Sequence, residues 1–498
     1  MLIDARELPE GRVLRADVAI IGAGAAGLTL AQYLSAQNHS VLLLESGPFQ
    51  YEPETQALYD GVAEGPALDT DASYLASSRL RYFGGSTNHW GGWCRPLDPI
   101  DFEAREGLPH SGWPISRHDL EPFYRQAESL LGIPSFELGR SEPDRSDFLL
   151  PESERITTRL FQIRAPRFRN TIGTQLVASE VNVVMHANLI DIALAESGQR
   201  VDRLTLASTA EHRFEAQASC YLLATGGIEN ARLLLASNGV HRQGLGNRHD
   251  LVGRFFMDHP HAYVGSIFLT QRARQAQLYV QRRSRQLRQQ AVFSLSEAEL
   301  RHRKLPNAGL TIIQPDGRQE RAPGMVAAAV DIDDIRIPGR DPYAGFRGRL
   351  YARWEPRPNP ASRVTLDDER DALGMPRARL QWQLTDEDID TVAQTLEVLI
   401  EELGRWACGR VALELDPDDP WAGVVGGAHH MGTTRMATRP EEGVVDPDCR
   451  VFGVSNLWIA GSSVFPTVGF ANPTMTLLAL CHRLADHIDR QLAREATQ

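Results

Sequence analysis

At 498 residues the chain is too long for one ordinary core, so two or more closely packed domains are expected. Its 42% hydrophobic and 23% charged residues suit a globular protein, and a net charge of −12 gives no reason to expect nucleic-acid binding. Five widely spaced cysteines give neither a CxxC pair nor a disulfide framework, and a single lysine, Lys304, argues against Schiff-base chemistry.

In chain order, Ala16–Ile21 is a short apolar run ending at glycine, the pattern of a buried parallel strand. Gly22-Ala23-Gly24-Ala25-Ala26-Gly27 follows, then a helix to about Leu34 carrying Ala26, Leu28 and Leu30, then a second apolar strand, Val41–Leu44, ending in Glu45. This is a complete βαβ unit. Gly22 permits the tight turn, Gly24 lets backbone approach a pyrophosphate, and Gly27 lets helix and strand pack closely. Glu45 is placed to accept hydrogen bonds from a ribose diol, which argues against a 2′-phosphate and hence against NADP. FAD and NAD both fit this unit taken alone.

A polar stretch over 51–80 leads to Gly84-Gly85-Ser86-Thr87-Asn88-His89-Trp90-Gly91-Gly92, a loop whose backbone can approach a flat ligand. Residues 105–155 are rich in proline and charge and read as a lid or dimer arm. Strands are expected over Val181–His186, Leu189–Leu194 and Cys220–Ala224; the last runs into Thr225-Gly226-Gly227 and a helix, Ala231–Ser237. Alternating segments such as Ala262–Leu269 predict antiparallel strands in 260–425, with an amphipathic helix over Asp386–Trp406. Near the end, Asn456–Gly461 reads as a buried strand. Asn472 is then placed as an N-cap with Pro473 at the first helical position of a helix to about Arg494.

The fold class expected is α/β: a Rossmann-like nucleotide domain with a parallel sheet, and an inserted α+β substrate domain with an antiparallel sheet. The division expected is 1–104 and 156–259 for the nucleotide domain, 105–155 for the arm, 260–425 for the substrate domain, and 426–498 rejoining the first. The N-terminus lacks the apolar stretch of a signal peptide and no run of about 18 apolar residues occurs, so a cytoplasmic location without a membrane span is expected.

Together these segments, with Gly253–His259 (Gly-Arg-Phe-Phe-Met-Asp-His), Pro358–Val364 and Gly427–Met436, resemble the glucose–methanol–choline (GMC) family of FAD-dependent oxidoreductases, in its bacterial sugar- and polyol-oxidising branch. The 43-residue spacing from His429 to Asn472 suits that family's catalytic pair. The resemblance implies FAD, with the diphosphate held at Gly22, Gly24, Ala26 and Gly27 and the adenosine ribose at Glu45. It implies further FAD contacts from Gly84, Gly85, Ser86, Asn88, His89, Trp90, Gly91, Leu189, Ala224, Thr225, Gly226, Gly461, Ser462, Asn472, Pro473 and Thr474. The Gly-Gly-Ser-Thr-Asn-His-Trp run is similar to the pyranose oxidase subgroup, which makes His89 the candidate for a covalent bond to the flavin 8α-methyl.

Alcohol oxidation removes a hydroxyl proton and a carbon-bound hydride. Flavin N5 accepts the hydride, and an imidazole suits the proton. His429, where the pattern His-x-x-Gly-Thr begins, matches the family's base, and Asn472 would orient the hydroxyl. His430 is read as a supporting or core histidine, His259 as resembling a family position beside the cofactor with a structural role, and Asp446 as bonding backbone across a domain junction. No metal site is indicated. The substrate expected is a small alcohol of sugar, glycoside, cyclitol or polyol type. Oxygen, a quinone or a redox protein all remain open as electron acceptor, and a non-redox lyase with structural FAD is the alternative reading.

Overall fold

The first three apolar runs become neighbours in one eight-stranded sheet with a parallel centre. The computed structural model describes residues 1–68, 74–136, 147–270, 278–279, 288–313, 346–416 and 418–495. Strand order is Leu2–Asp4, Asn182–Met185, Val41–Leu44, Val13–Ile21, Arg213–Leu223, Val201–Ala207 and Asn188–Leu194. Leu457–Ile459 adds in parallel to the end of Arg213–Leu223. Val18–Ile21 and Val41–Leu44 are buried on both faces, which is why they read as unbroken apolar runs. Helix Ala25–Ala36 links them. The register pairs Ile21 with Leu44 and with Leu223, and Leu223 with Ile459. Four strands therefore end at one edge, where Gly22, Glu45, Gly226 and Gly461 follow.

A second eight-stranded sheet is antiparallel throughout. Its order is Gly409–Leu413, Pro260–Leu269, Phe346–Trp354, Ala308–Ile313, Arg288–Leu295, Ile156–Ile163 and Trp93–Cys94, with Val425–Gly426 beside Pro260–Leu269. Helix Asp386–Arg405 covers this sheet, burying Val392, Leu396, Leu399 and Leu403 behind a Thr385–Asp388 capping box. A small third sheet joins Arg363–Arg370, Pro376–Gln381 and Gly61–Glu64.

Two expected boundaries differ. Ile156–Ile163, expected to reopen the nucleotide domain, pairs with Arg288–Leu295 instead, and Trp93–Cys94 joins the same sheet. The stretch expected to be an arm contains helix Arg117–Leu131, which packs on the terminal helix Thr474–Glu495. It buries Leu120, Tyr124, Ala127 and Leu131, and Tyr124 Oη lies 2.9 Å from Thr476 Oγ1. Residues 137–146 of that stretch, and 271–277, 280–287, 314–345 and 417 of the expected substrate domain, lie outside the described residues. Among the described residues, no helix is long and apolar enough to cross a membrane.

Candidate active site

The aligned strand ends open onto a cavity of about 650 Å³, inside the roughly 300–1,000 Å³ range of small-molecule and cofactor sites. Gly22, Gly24, Ala26, Glu45, Gly85, Ser86, His89, Trp90, Gly91, Leu189, Ala224, Thr225, Gly226, Gly461, Ser462, Asn472, Pro473, Thr474 and His429 all line it. Three residues expected there do not. Gly27 lies where an added Cβ would meet the carbonyl of Gly22, so it serves the helix–turn contact. Gly84, at φ 93°, packs against Asn88 and Arg169, and Asn88 Nδ2 donates to the Phe83 carbonyl at 2.9 Å.

The cavity has the character of a dinucleotide cradle. A Cβ added at Gly24, Gly226 or Gly461 would meet no atom within 4 Å, so these glycines border open space. Helices Ala25–Ala36 and Gly227–Ala236 start at Gly24 and Gly226 without a side-chain cap, leaving first-turn amides and the positive ends of two helices facing an anion's position. Glu45 is buried; its oxygens accept from the Ala23 and Gly47 amides at 2.7 and 2.9 Å. Burial raises its pKa, and those amides oppose the rise. A carboxylate has about four acceptor positions, so two amides leave room for a diol.

Sequence reading missed Tyr59, Arg79, Arg81 and Glu229 on this wall. The Arg79 guanidinium lies 3.9 Å over the Tyr59 ring. Burial pushes the Glu229 carboxyl up, but Arg232, Arg81 and Arg79 outweigh it and hold it at about 2. His89 is exposed, with Nε2 2.9 Å from Tyr82 Oη.

At the other end of the cavity, the loop before Met431 meets the loop before helix Thr474–Glu495. His429 Nε2 lies 3.0 Å from Asn472 Nδ2, and His429 Nδ1 lies 3.0 Å from His259 Nδ1. The Asn472 carbonyl accepts from Arg353, which fixes the amide with its NH₂ toward His429. Asn472 is therefore not the N-cap. The carbonyl of Pro473 accepts the first helical bond, from the Leu477 amide, while the Asn472 carboxamide is turned to Arg353 and His429.

Asp258, another residue that sequence reading passed over, builds the histidine loop. Its Oδ1 accepts from the His429 amide at 2.7 Å, and its Oδ2 accepts from the Ala428 amide at 2.9 Å and from Tyr74 Oη at 2.8 Å. Ala428 is held at φ 58° between them. Burial raises the Asp258 carboxyl to about 6 against these bonds. His430, which also lines the cavity, has Nε2 3.1 Å from Tyr74 Oη, and its carbonyl accepts from Ser462 Oγ. Burial, then Arg79, lowers its pKa to about 3. Burial, with His259, His261, Arg353 and His430, holds His429 well below the ordinary imidazole value, so the ring is neutral at pH 7.

Arg353 is buried under Trp93 and Phe161, its guanidinium 5.4 and 5.0 Å from their ring centres. It stands opposite His261 in the antiparallel register. Asp446, expected to bridge a domain junction, accepts from the Asp448 and Arg450 amides of its own turn, both at 2.9 Å, and pairs with the Arg450 guanidinium at 3.2 Å.

Comparison with known proteins agrees with this geometry. Residues 17–244 match the FAD dependent oxidoreductase family and residues 358–481 the GMC oxidoreductase family. The chain is 25% identical over 552 aligned positions to 2-methyl-1,2-propanediol dehydrogenase of Mycolicibacterium austroafricanum, covering 96% of each. It is 24% identical over 555 positions to the fructose dehydrogenase large subunit of Gluconobacter japonicus, covering 95% of this chain and 98% of that one. Among solved structures, pyridoxine 4-oxidase from Mesorbium loti shares the fold at a TM-score of 0.56 and 19% identity, over 95% of this chain and 99% of that one. The glycine cradle near the start of the chain thus falls within the FAD dependent oxidoreductase match, and the His429–Asn472 pair within the GMC oxidoreductase match.

Proposed function

We propose that the protein oxidises an alcohol group of a polyol or carbohydrate-like small molecule to a carbonyl, with His429 taking the hydroxyl proton at Nε2 and Asn472 orienting the hydroxyl. The observation that carries this reading is the 3.0 Å contact between His429 Nε2 and Asn472 Nδ2 on the wall of the cavity that the nucleotide-binding glycines border. Bound in that cradle, FAD supplies the acceptor for the carbon-bound hydride at its N5. A neutral imidazole offers one lone pair to a hydroxyl hydrogen, and the adjacent carboxamide N–H donates to the same oxygen. Two such contacts hold the alcohol in one orientation before reaction. Trp93 lines the same cavity. The propanediol and fructose dehydrogenases to which the chain is similar favour this substrate class.

The test is anaerobic mixing of the yellow holoenzyme with polyols, sugars and glycosides. Bleaching of the flavin by a polyol or sugar supports oxidation; an unbleached spectrum with every alcohol sinks it. In His429→Ala and Asn472→Ala the flavin should stay bound while bleaching slows, by roughly 10²–10⁴-fold for the base. Undiminished bleaching in His429→Ala would remove the proposed base. Attachment through His89 belongs to the same reading, and colour lost from acid-precipitated protein would refute it.

A further inference from the structure

His259 takes no part in the cavity lining, yet among the described residues it makes the one hydrogen bond to Nδ1 of His429. Its own Nε2 lies 2.9 Å from the carbonyl of Gly469, which can only accept, so Nε2 of His259 carries the hydrogen. His259 is fully buried, and that burial, followed by Arg353, lowers its pKa to about 3, so the ring is neutral and its Nδ1 is a lone pair. A lone pair 3.0 Å from His429 Nδ1 requires a hydrogen on that nitrogen. In a neutral His429 the lone pair then falls on Nε2, where the amide of Asn472 points. Arg353 fixes the far end of the series through the Asn472 carbonyl. Every donor in the line from Gly469 to Arg353 faces an acceptor in one arrangement of hydrogens, and reversing either ring would set two donors or two acceptors face to face.

The anchor is itself held. Gly469, at φ 53°, donates its amide to Glu355 at 3.1 Å while its carbonyl receives His259. Glu355 is fully buried and accepts from the Val468 amide at 3.2 Å and from Arg105 at 2.8 Å. Glu355 thus fixes the backbone amides on the N-terminal side of that carbonyl.

We infer that His259 is a positioning residue that locks His429 in the Nδ1–H tautomer and so keeps the Nε2 lone pair aimed into the cavity. The inference rests on the proposed role of His429 as base. When the substrate O–H bond breaks and its proton joins Nε2, the ring becomes a cation, and its Nδ1–H remains bonded to the lone pair of His259. The groups facing His429 are otherwise His261, His430, Arg353 and Asp258, the last through the His429 amide, and among the described residues none of them makes a hydrogen bond to Nδ1.

The experiment uses flavin-loaded enzyme in which histidine is labelled with ¹⁵N, the His429 signals being assigned by their loss in His429→Ala. In the unsubstituted protein, His429 should show Nδ1 protonated and Nε2 bare. In His259→Leu, which offers no acceptor, that pattern should give way to the other tautomer or to a mixture, and anaerobic flavin reduction should slow by about 10–100-fold with little change in KM. His259→Asn can donate to Gly469 and accept from His429 at once, so it should restore the tautomer and most of the rate. A protonated Nε2 in the unsubstituted protein would overturn the inference without need of any variant. Equal slowing in His259→Leu and His259→Asn, with the tautomer unchanged, would also overturn it. If reduction is lost in His429→Ala but unaffected in His259→Leu, only the positioning role falls. If His429→Ala reduces normally, the base assignment falls and takes the positioning role with it.

Discussion

Four imidazoles, His259, His261, His429 and His430, share one buried corner with the Arg353 guanidinium, and burial lowers the pKa of each. A proton on any of them would meet a cation already in place, so the corner stays neutral well into mild acid. The sign for catalysis follows: a base works while unprotonated, and His429 is depressed below 6.5, so the acid limb of the rate of flavin reduction should lie below pH 6.5. Arg353→Met removes one of the charges that depress it, so the limb should move up in pH. The rate on the plateau should also fall, because the Asn472 carboxamide loses the donor that orients it. A limb that stays in place would mean that burial alone sets the basicity. His429 and Asn472 were legible in the sequence because short motifs surround them. Arg353 was not, since an arginine in an alternating strand reads as a solvated side chain until Trp93 and Phe161 are seen to cover it. Asp258 was passed over in the very segment quoted for its neighbour, because a carboxylate that organises backbone amides has no spacing rule of its own.

At the scale of elements, two glycines with different tasks sit only three residues apart in sequence. Gly24 borders open space, with φ outside the left-handed region, so a side chain there strains nothing in the protein and projects into the cradle. Gly27 is pressed against the Gly22 carbonyl. Gly24→Val should therefore fold with a nearly unchanged Tm in the flavin-free form and elute colourless from gel filtration. Gly27→Ala should lose stability by at least the roughly 1–3 kcal/mol of an overpacked core, seen as a lower Tm with or without flavin. Like behaviour of the two variants would contradict the cradle. The βαβ unit was legible because its signals are local: an apolar run, a glycine turn, a helical period and an acidic end fall within about thirty residues. The cap of the terminal helix was misread for a tertiary reason. Asn472 has the right residue type for a cap, but its side-chain oxygen accepts from Arg353, and the helix begins one residue later, its first bond closing on the Pro473 carbonyl.

For the molecule as a whole, the unread part is the pairing of distant segments. Trp93–Cys94 and Ile156–Ile163 complete a sheet whose other strands start after Pro260, and no local pattern records which partner a strand will choose. The two sheets meet at the loop before the terminal helix, and one buried pair secures it. Arg105 bonds both oxygens of Glu355 at 2.8 Å, and Glu355 in turn receives the amides of Asn307, Val468 and Gly469. Asp101 lies alongside, donating nothing to Glu355; burial and the nearby charges of Asp98 and Glu355 raise its pKa to about 7. Arg105→Met would leave the Glu355 carboxylate buried without its cation, at a cost of about 3–5 kcal/mol in denaturant unfolding. The double substitution Arg105→Met with Glu355→Gln removes the orphaned charge and should recover much of that loss, since the amide oxygen can still receive backbone N–H groups. The Gly469 carbonyl that holds His259 hangs on the same carboxylate, so the single variant should also slow flavin reduction at a distance from any substrate contact, and the double variant should regain rate and stability together. Recovery of stability without recovery of rate would show that the loop needs the charge of Glu355 as well as its hydrogen bonds.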